Sequence, residues 1–537
     1  MSRLSLLRTD DFTGGLNLRA DPFQLGRTES PDLLNVDIDP RGGLTVRGGM
    51  TKLNTSAIGG ISNGAFTPKG LYAWDNSSPR VLLAANNVVY GASTTAFSTI
   101  GVNTTAPFGA SFTSWSASTE SFVYIGTGAL THKWDGTNTA SSLIDASTAY
   151  ADDYAAPVTG YAPKCRQIAS HVDRLWCAYT TEGGVDYPNR VRFSHPINRE
   201  SWATNDYIDI VEGGSGITAI IPFNGNLLVF KKRAVFSILG YSTDTFQVIN
   251  LTNEVGAVNP LSVVATEAAV YFFSWPDGLF KYDGQQFSDL FTSIRPLVQT
   301  GQINNIAQDE IRVAAINQKI WVSLPLGSDT KATASYIHDP SLKQGGAWSK
   351  YQTSDGKGVG SGCDFVTSTG TTYNLACHPS NAYVLKVDQL SVYQDDVGTG
   401  AANFTSYYTT PWQDANNVSA RKMWRRPDFV VKQTSVATNL TLRVYHDWEE
   451  SVIAKTYILA LDASGSALIW TAPATEPDAN AGWNQANWGA SASGSAFAVG
   501  KSLGLARSVQ LQIQGEGGKP WGVNSITYKY NPRKVRA

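Results

Sequence analysis

Two kinds of apolar pattern run along the chain, and both belong to strands. Strict alternation occupies Asn439 to Tyr445 (NLTLRVY), Ser508 to Gln514 (SVQLQIQ) and Asn524 to Tyr530 (NSITYKY). That is the period of a strand with one face buried. The second pattern is a short unbroken run of β-branched and aromatic residues entered through a polar turn. Copies are Asn87-Val88-Val89-Tyr90, Phe122-Val123-Tyr124-Ile125, Arg174-Leu175-Trp176-Cys177, Asn226-Leu227-Leu228-Val229, Val270-Tyr271-Phe272-Phe273, Lys319-Ile320-Trp321-Val322 and Thr372-Tyr373-Asn374-Leu375. Runs this short, bounded by turn residues, predict strands covered on both faces. Their spacing is irregular, roughly 35 to 55 residues, close to the ~40–50 of propeller blades. Helical periodicity of useful length is nearly absent.

An internal match points the same way. Gly70-Leu71-Tyr72-Ala73-Trp74-Asp75-Asn76 aligns without gaps to Gly278-Leu279-Phe280-Lys281-Tyr282-Asp283-Gly284, with a looser copy at Ala129 to Gly136. Each reads as a half-buried strand ending in an Asp-Asn or Asp-Gly hairpin turn. Tryptophans recur after turns in Glu200-Ser201-Trp202 and Gly346-Ala347-Trp348. A single four-stranded blade cannot bury both of its faces, whereas blades stacked around an axis can, and the ring leaves only short edges. The expected fold is therefore all-β, with a β-propeller of about six to eight blades over residues 56–395. An array of β-sandwiches without a closed ring is the alternative. Asp11 to Met50 is rich in turn formers and has only short apolar runs, so residues 1–55 are expected to form an extended N-terminal arm. Residues 396–537 hold the alternating strands and a Gly/Ala/Ser/Asn stretch with Trp470, Trp483 and Trp488. They predict a separate, antiparallel, β-sandwich-like C-terminal domain.

Composition narrows the function. Apolar residues are 42% and charged residues 16% of the chain, against roughly 25% charged in a typical soluble domain. Ser, Thr, Asn and Gly take the place of the missing charge, which suits strands and tight turns. The formal net charge of −2 lacks the basic excess of a nucleic-acid binder. No run approaches the ~18 apolar residues of a membrane-spanning helix. The apolar part of MSRLSLLRTDDF is too short for a signal-peptide core, which predicts folding in a cytoplasm. The four cysteines read as reduced core residues rather than a disulfide framework.

The search for chemistry is mostly negative. There is no phosphate-cradling GxxxxGK[ST] loop and no GxSxG nucleophile elbow. Gly356 to Gly362 (GKGVGSG) reads as a flexible surface loop. Cys363, Cys377 and His378 lack the paired spacing of a metal site. Asp152-Asp153, Asp395-Asp396 and Glu449-Glu450 are adjacent carboxylates, which on a strand face opposite ways. A glycosidase needs two that share a cleft, so these read as solvated loop charges. No catalytic residue, cofactor or metal is expected. Two basic clusters remain, Arg421-Lys422-Met423-Trp424-Arg425-Arg426 and the tail residues Lys529, Arg533, Lys534 and Arg536. Arginine interleaved with tryptophan is able to grip phosphates. Pairing with acidic residues of a neighbouring subunit is the favoured reading for Arg421, Lys422, Trp424, Arg425 and Arg426.

Three stretches together resemble a known family. They are Gly14-Gly15-Leu16-Asn17 with Glu29-Ser30-Pro31-Asp32 and Leu33 to Gly48, then Asn189 to Phe236, then Val255 to Gly284. They resemble the tail-nozzle, or tail-tubular B-type, proteins of short-tailed bacteriophages; the C-terminal domain is similar only in being all-β. The resemblance implies a ring of subunits, usually six, below the portal and adaptor. Such a ring forms the distal tube for genome ejection and carries fibres. The expectation is a non-enzymatic virion tail protein made in the host bacterial cytoplasm. Its partners would be copies of itself (a hexamer favoured), the tail adaptor and tail fibre or receptor-binding proteins. DNA would pass without tight binding, and no segment would span a membrane. The N-terminal arm is the candidate for gripping a neighbouring subunit, by strand addition or as a clamp. A phage receptor-binding adhesin and a carbohydrate-active propeller enzyme are the alternatives.

A conduit lined with Arg and Lys would hold DNA through strong, salt-dependent phosphate contacts, so lumen-facing loops are expected to be polar or acidic. Fluorescence anisotropy with the isolated ring and duplex DNA should show weak binding even at low salt. Tight binding that falls steeply with added salt would contradict this.

Overall fold

The computed structural model describes residues 4–532 apart from 77, 94, 105–108, 117–120, 138–141, 144–161, 343–344, 399, 433, 435, 462–494 and 500–501. Asp152-Asp153, Trp470, Trp483, Trp488, Arg533, Lys534 and Arg536 lie outside the described residues. Among those described, the one α-helix is the single turn Pro296–Gln299.

Among the described residues, seven four-stranded sheets follow one another, spanning 68–103, 111–143, 164–209, 217–252, 263–289, 312–351 and 362–389, the last completed by Gly49–Lys52. The first strands of consecutive sheets touch. Pro68–Trp74 meets Ser111–Ser116, which meets Lys164–His171, and so on to Gly362–Val366, which returns to Pro68–Trp74. The first strands thus close into a ring, and the fold is a β-propeller rather than an open array.

The apolar runs explain why. Except in the first sheet, where the run at Asn87 to Tyr90 falls on the third strand, each lies on the second strand. That strand has neighbours on both edges and sheets on both faces. Arg174–Glu182, Asn226–Lys231, Val270–Ser274 and Lys319–Leu324 are accordingly buried along most of their length. Apolar layers fill the spaces between sheets. Trp176, Val191 and Phe193 of the third sheet pack with Leu227, Val229 and Phe236 of the fourth. Phe230 of the fourth lies 5.2 Å from Phe272 of the fifth. Each fully buried side chain of this size contributes about 1.5–3 kcal/mol. Trp202 and Trp348, expected to close turns, are both buried.

The internal match carries a different meaning from the one expected. Gly70 lies in a first strand, Pro68–Trp74, whereas Gly278 opens a third strand, Gly278–Tyr282. The two segments share strand-and-turn chemistry, not a position in the blade. Gly278 has φ 106° and leaves no room for a side chain, since a Cβ would sit 2.4 Å from the Phe291 ring.

By internal contacts the propeller unit is Thr51–Ser335 with Gly356–Val387, and a second unit comprises Met1–Met50, Tyr336–Asp355 and Asp388–Ala537. The N-terminal residues therefore do not stand apart as an arm over 1–55, whereas the seven sheets run in order from 68 to 389, inside the expected 56–395. In the second unit, one sheet holds Lys422–Trp424, Asp428–Lys432, Ser495–Val499, Gly504–Ala506 and Gly522–Pro532, together with N-terminal Ser5–Thr9, Val36–Ile38 and Leu44–Val46. Another holds Leu33–Leu34, Tyr407–Thr409, Thr438–His446, Lys455–Leu461 and Val509–Gly515. Thr438–His446 is buried on alternate positions as its pattern requires, whereas Val509–Gly515 is buried at Val509, Gln510 and Leu511 before alternation sets in. Strand addition by the N-terminal residues does occur, but within the chain. Ser5–Thr9 runs antiparallel to Gly522–Pro532, with Ser5 opposite Tyr530 and Thr9 opposite Ile526, and Leu33-Leu34 pairs with Tyr407-Tyr408.

N-terminal residues also complete the propeller unit. Leu53 N donates to Val384 O at 2.7 Å, Val384 N donates to the Asn54 carboxamide at 2.8 Å, and Asn54 Nδ2 donates to Ala382 O at 3.1 Å. Deleting residues 1–50 should accordingly unfold the second unit instead of leaving a well-folded soluble monomer. Circular dichroism melts and limited proteolysis check this: the truncated chain should lose part of its cooperative transition and become protease-labile. A melt matching the full chain would contradict the assignment.

Candidate functional site

The basic cluster at 421–426 is divided by its own strand. Lys422–Trp424 lies beside Gly522–Pro532, and alternation turns Lys422 and Trp424 inward. Lys422 is buried, and its Nζ donates to Ala420 O at 3.0 Å, to Arg507 O at 2.8 Å and to Asn417 O. Burial lowers its pKa, and three carbonyl oxygens offset the cost of the buried ammonium. Trp424 is fully buried, donates Nε1–H to Ala506 O at 3.2 Å, and packs against Tyr530 at 5.2 Å. Neither can meet a partner or a nucleotide, which corrects the joint role expected for them. Arg421, Arg425 and Arg426 are exposed, and Arg425 Nε donates to Asn531 Oδ1 at 2.8 Å. Of the tail cluster, Lys529 pairs with Asp428 at 2.7 Å. Among the described residues of the two clusters, three guanidinium groups remain for an external contact.

A site that sequence reasoning missed lies in the second unit. Arg47 and Asp395 form an ion pair with both side chains fully buried, at 2.7 Å from Nη2 to Oδ2 and 3.0 Å from Nη1 to Oδ1. Arg47 also donates to Asn35 Oδ1 (2.9 Å), Gly48 O (2.8 Å) and Gln352 O (2.8 Å). All five of its N–H donors are thereby used. Asp395 further accepts from Met50 N and Ser354 N, both at 2.9 Å. Asp395 is therefore not a solvated loop charge. The Asp-Asp dipeptide hid it. The signal that was present is Arg47 itself, the one charge between apolar Val46 and two glycines.

The Gly-rich loop also departs from expectation. Gly356 is exposed, but Val359 is buried, and the amides of Gly358 and Gly360 donate to Ala332 O (3.0 Å) and Cys377 O (2.7 Å). These glycines allow close packing, since a Cβ on Gly358 would sit 2.8 Å from the Ala334 carbonyl carbon. Cys165, Cys177 and Cys377 are buried free thiols.

In the propeller unit the inner strands begin around a cavity of about 510 Å³. Its wall includes Lys69, Arg166, Gln167, Thr218 and Arg312, each near the start of a first strand, and Lys232 from a turn in the fourth sheet. Glu310 braces this wall. Its Oε1 accepts from Lys69 Nζ at 2.8 Å, its Oε2 from Arg312 Nη2 at 3.3 Å, and Lys331 Nζ lies 4.0 Å away. Burial would raise the Glu310 pKa, but Arg312, Lys69 and Lys331 outweigh it and hold the carboxyl below its usual range. Burial lowers the pKa of both Arg312 and Lys331, and Lys331 is lowered further by the neighbouring Lys69 and Arg312 charges. Arg166 lies 3.5 Å over the Tyr179 ring and 3.6 Å from Asp186. Among the described residues no group of three His, Cys, Asp or Glu side chains is placed to hold a metal.

No protein-family model and no curated protein matches the chain. Two solved structures of the extracellular domain of BT4673 from B. thetaiotaomicron are similar to it. One has a TM-score of 0.39 at 12% identity and covers 81% of this chain; the other has 0.36 at 11% and covers 67%. The chain spans 60% and 44% of their lengths, respectively. YCF48 from Cyanidioschyzon merolae has a TM-score of 0.31 at 11% identity, covering 55% of this chain and 93% of that one. Likeness at this level says nothing about what the present chain does.

Removing one partner of the Arg47–Asp395 pair strands a buried charge. Arg47→Met or Asp395→Leu should each destabilise the chain by about 3–5 kcal/mol, and the double variant by less than either. Urea denaturation of the three variants measures this. A loss under 1 kcal/mol in both single variants would remove the pair from the structural account.

Proposed function

We propose that this chain is a non-enzymatic structural subunit of a bacteriophage tail, of the nozzle type. It would form a homo-oligomeric ring, with a hexamer favoured, attached to the tail adaptor. The ring would be part of the channel for genome ejection and a platform for fibres or receptor-binding proteins. The observation that carries this reading is where charge goes in the stretches resembling the nozzle family. In the first, Arg47 is consumed by five internal acceptors. In the second, buried Lys231 donates to Asn189 Oδ1 (2.9 Å), Ile210 O (2.6 Å) and Glu212 O (2.5 Å), and Arg192 holds Glu182 through two bonds of 2.7 Å. These cations fasten strands and loops to one another, as a component that bears mechanical load requires. A formal net charge of −2 suits a passage that must release DNA.

The exposed Arg421, Arg425 and Arg426 are the proposed external contacts, pairing with carboxylates of a neighbouring subunit. Mass measurement in solution, alone and with the purified virion neighbours, tests the reading. The chain should be monomeric alone and become a defined ring on the adaptor, and Arg421→Ser/Arg425→Ser/Arg426→Ser should weaken that assembly about tenfold or more. A stable monomer that ignores those neighbours but binds or cleaves a host polysaccharide would replace this reading with the adhesin or the enzyme.

A further inference from the structure

The cavity where the inner strands begin has a charge balance that its own residues do not settle. Lys69, Arg166, Lys232 and Arg312 line it, with Asp309 as the one lining carboxylate. Lys331 stands behind the wall, donating to Thr67 Oγ1 at 3.0 Å. Glu310 answers three of these cations at once, and Asp186, about half exposed, answers Arg166 at 3.6 Å. Among the described residues, five cations thus face three carboxylates. Among the described residues no carboxylate pairs with the exposed Lys232. Crowding like charges in a partly enclosed space is unfavourable by itself, and low-dielectric walls concentrate the field into the opening.

The arrangement is built rather than incidental. The cations come from different sheets, Lys69 from the first, Arg166 from the third, Lys232 from the fourth and Arg312 from the sixth. Ring closure is what brings them to one space. Arg312 is almost fully buried and donates Nη1–H to Ile311 O at 3.1 Å and to Asp309 O. The Arg166 guanidinium carbon lies 3.5 Å from the centre of the Tyr179 ring. Both guanidinium groups are therefore preorganised, which lowers the entropy lost on binding. A volume of about 510 Å³ is the size of a small-molecule site rather than of a water pocket.

We propose that this cavity binds a small organic anion carrying at least two negative charges, through phosphate or carboxylate oxygens held by Arg166, Lys232, Lys69 and Arg312. Glu310 acts as a positioning residue that keeps Lys69 and Arg312 aimed without neutralising the site. The inference is independent of the proposed tail function. A bound anion would tie the first, third, fourth and sixth sheets together at their inner ends and stabilise the ring.

Isothermal titration of the full chain at low ionic strength, with inorganic pyrophosphate and with citrate as probes, tests it. At least one probe should bind saturably at one site per chain and raise the melting temperature. Tighter pyrophosphate identifies phosphate as the recognised group, and tighter citrate identifies carboxylate. Arg166→Gln/Lys232→Gln should weaken binding about tenfold or more, and the exposed single variant Lys232→Glu should weaken it without affecting folding. Arg421→Gln/Arg425→Gln/Arg426→Gln should leave it unchanged. Absence of saturable binding by both probes, binding undiminished in Lys232→Glu, or an equal loss in the 421–426 variant would overturn the proposal.

Discussion

The propeller depends on one constraint, that a sheet apolar on both faces must be covered on both. The second strands make this acute. Val270–Ser274 is buried at every position, so a lone fifth sheet would expose large aromatic side chains to water on each side. Only a neighbouring sheet on either face relieves that, and the same demand passes from sheet to sheet until the first meets the last. Ring closure follows from this demand, and so does the strand contributed from before the propeller. Just after that strand, the bonds of Leu53 and Asn54 to Val384 and Ala382 join segments more than three hundred residues apart.

Polar side chains do complementary work. In a chain with so few charges, those that are buried hold irregular segments where backbone ladders cannot reach. Lys231 and Lys422 each satisfy backbone carbonyls in loops, and Arg47 joins the segment before the propeller to those around Gln352 and Asp395. Such groups are costly to bury and costlier to break once paired. Their use as fasteners explains why residues that looked available for chemistry or recognition are not. The cavity at the inner strand ends is different, because among the described residues its cations exceed its carboxylates.

What the sequence alone determined is the local chemistry. Strand periodicity, turn residues and the apolar runs marked an all-β chain and a propeller, because these properties depend on neighbours within about ten residues. The tertiary structure alone decided which distant residues meet. Ser5–Thr9 and Leu33–Leu34 looked like a free arm because a strand's partner is not written beside it, and here the partners lie about five hundred and four hundred residues onward. Asp395 looked solvated because Arg47 is 348 positions away. Lys422 and Trp424 looked like companions of Arg425 until strand alternation turned them inward. The cationic cavity was invisible for the same reason: its residues come from separate sheets and become neighbours only when the ring closes.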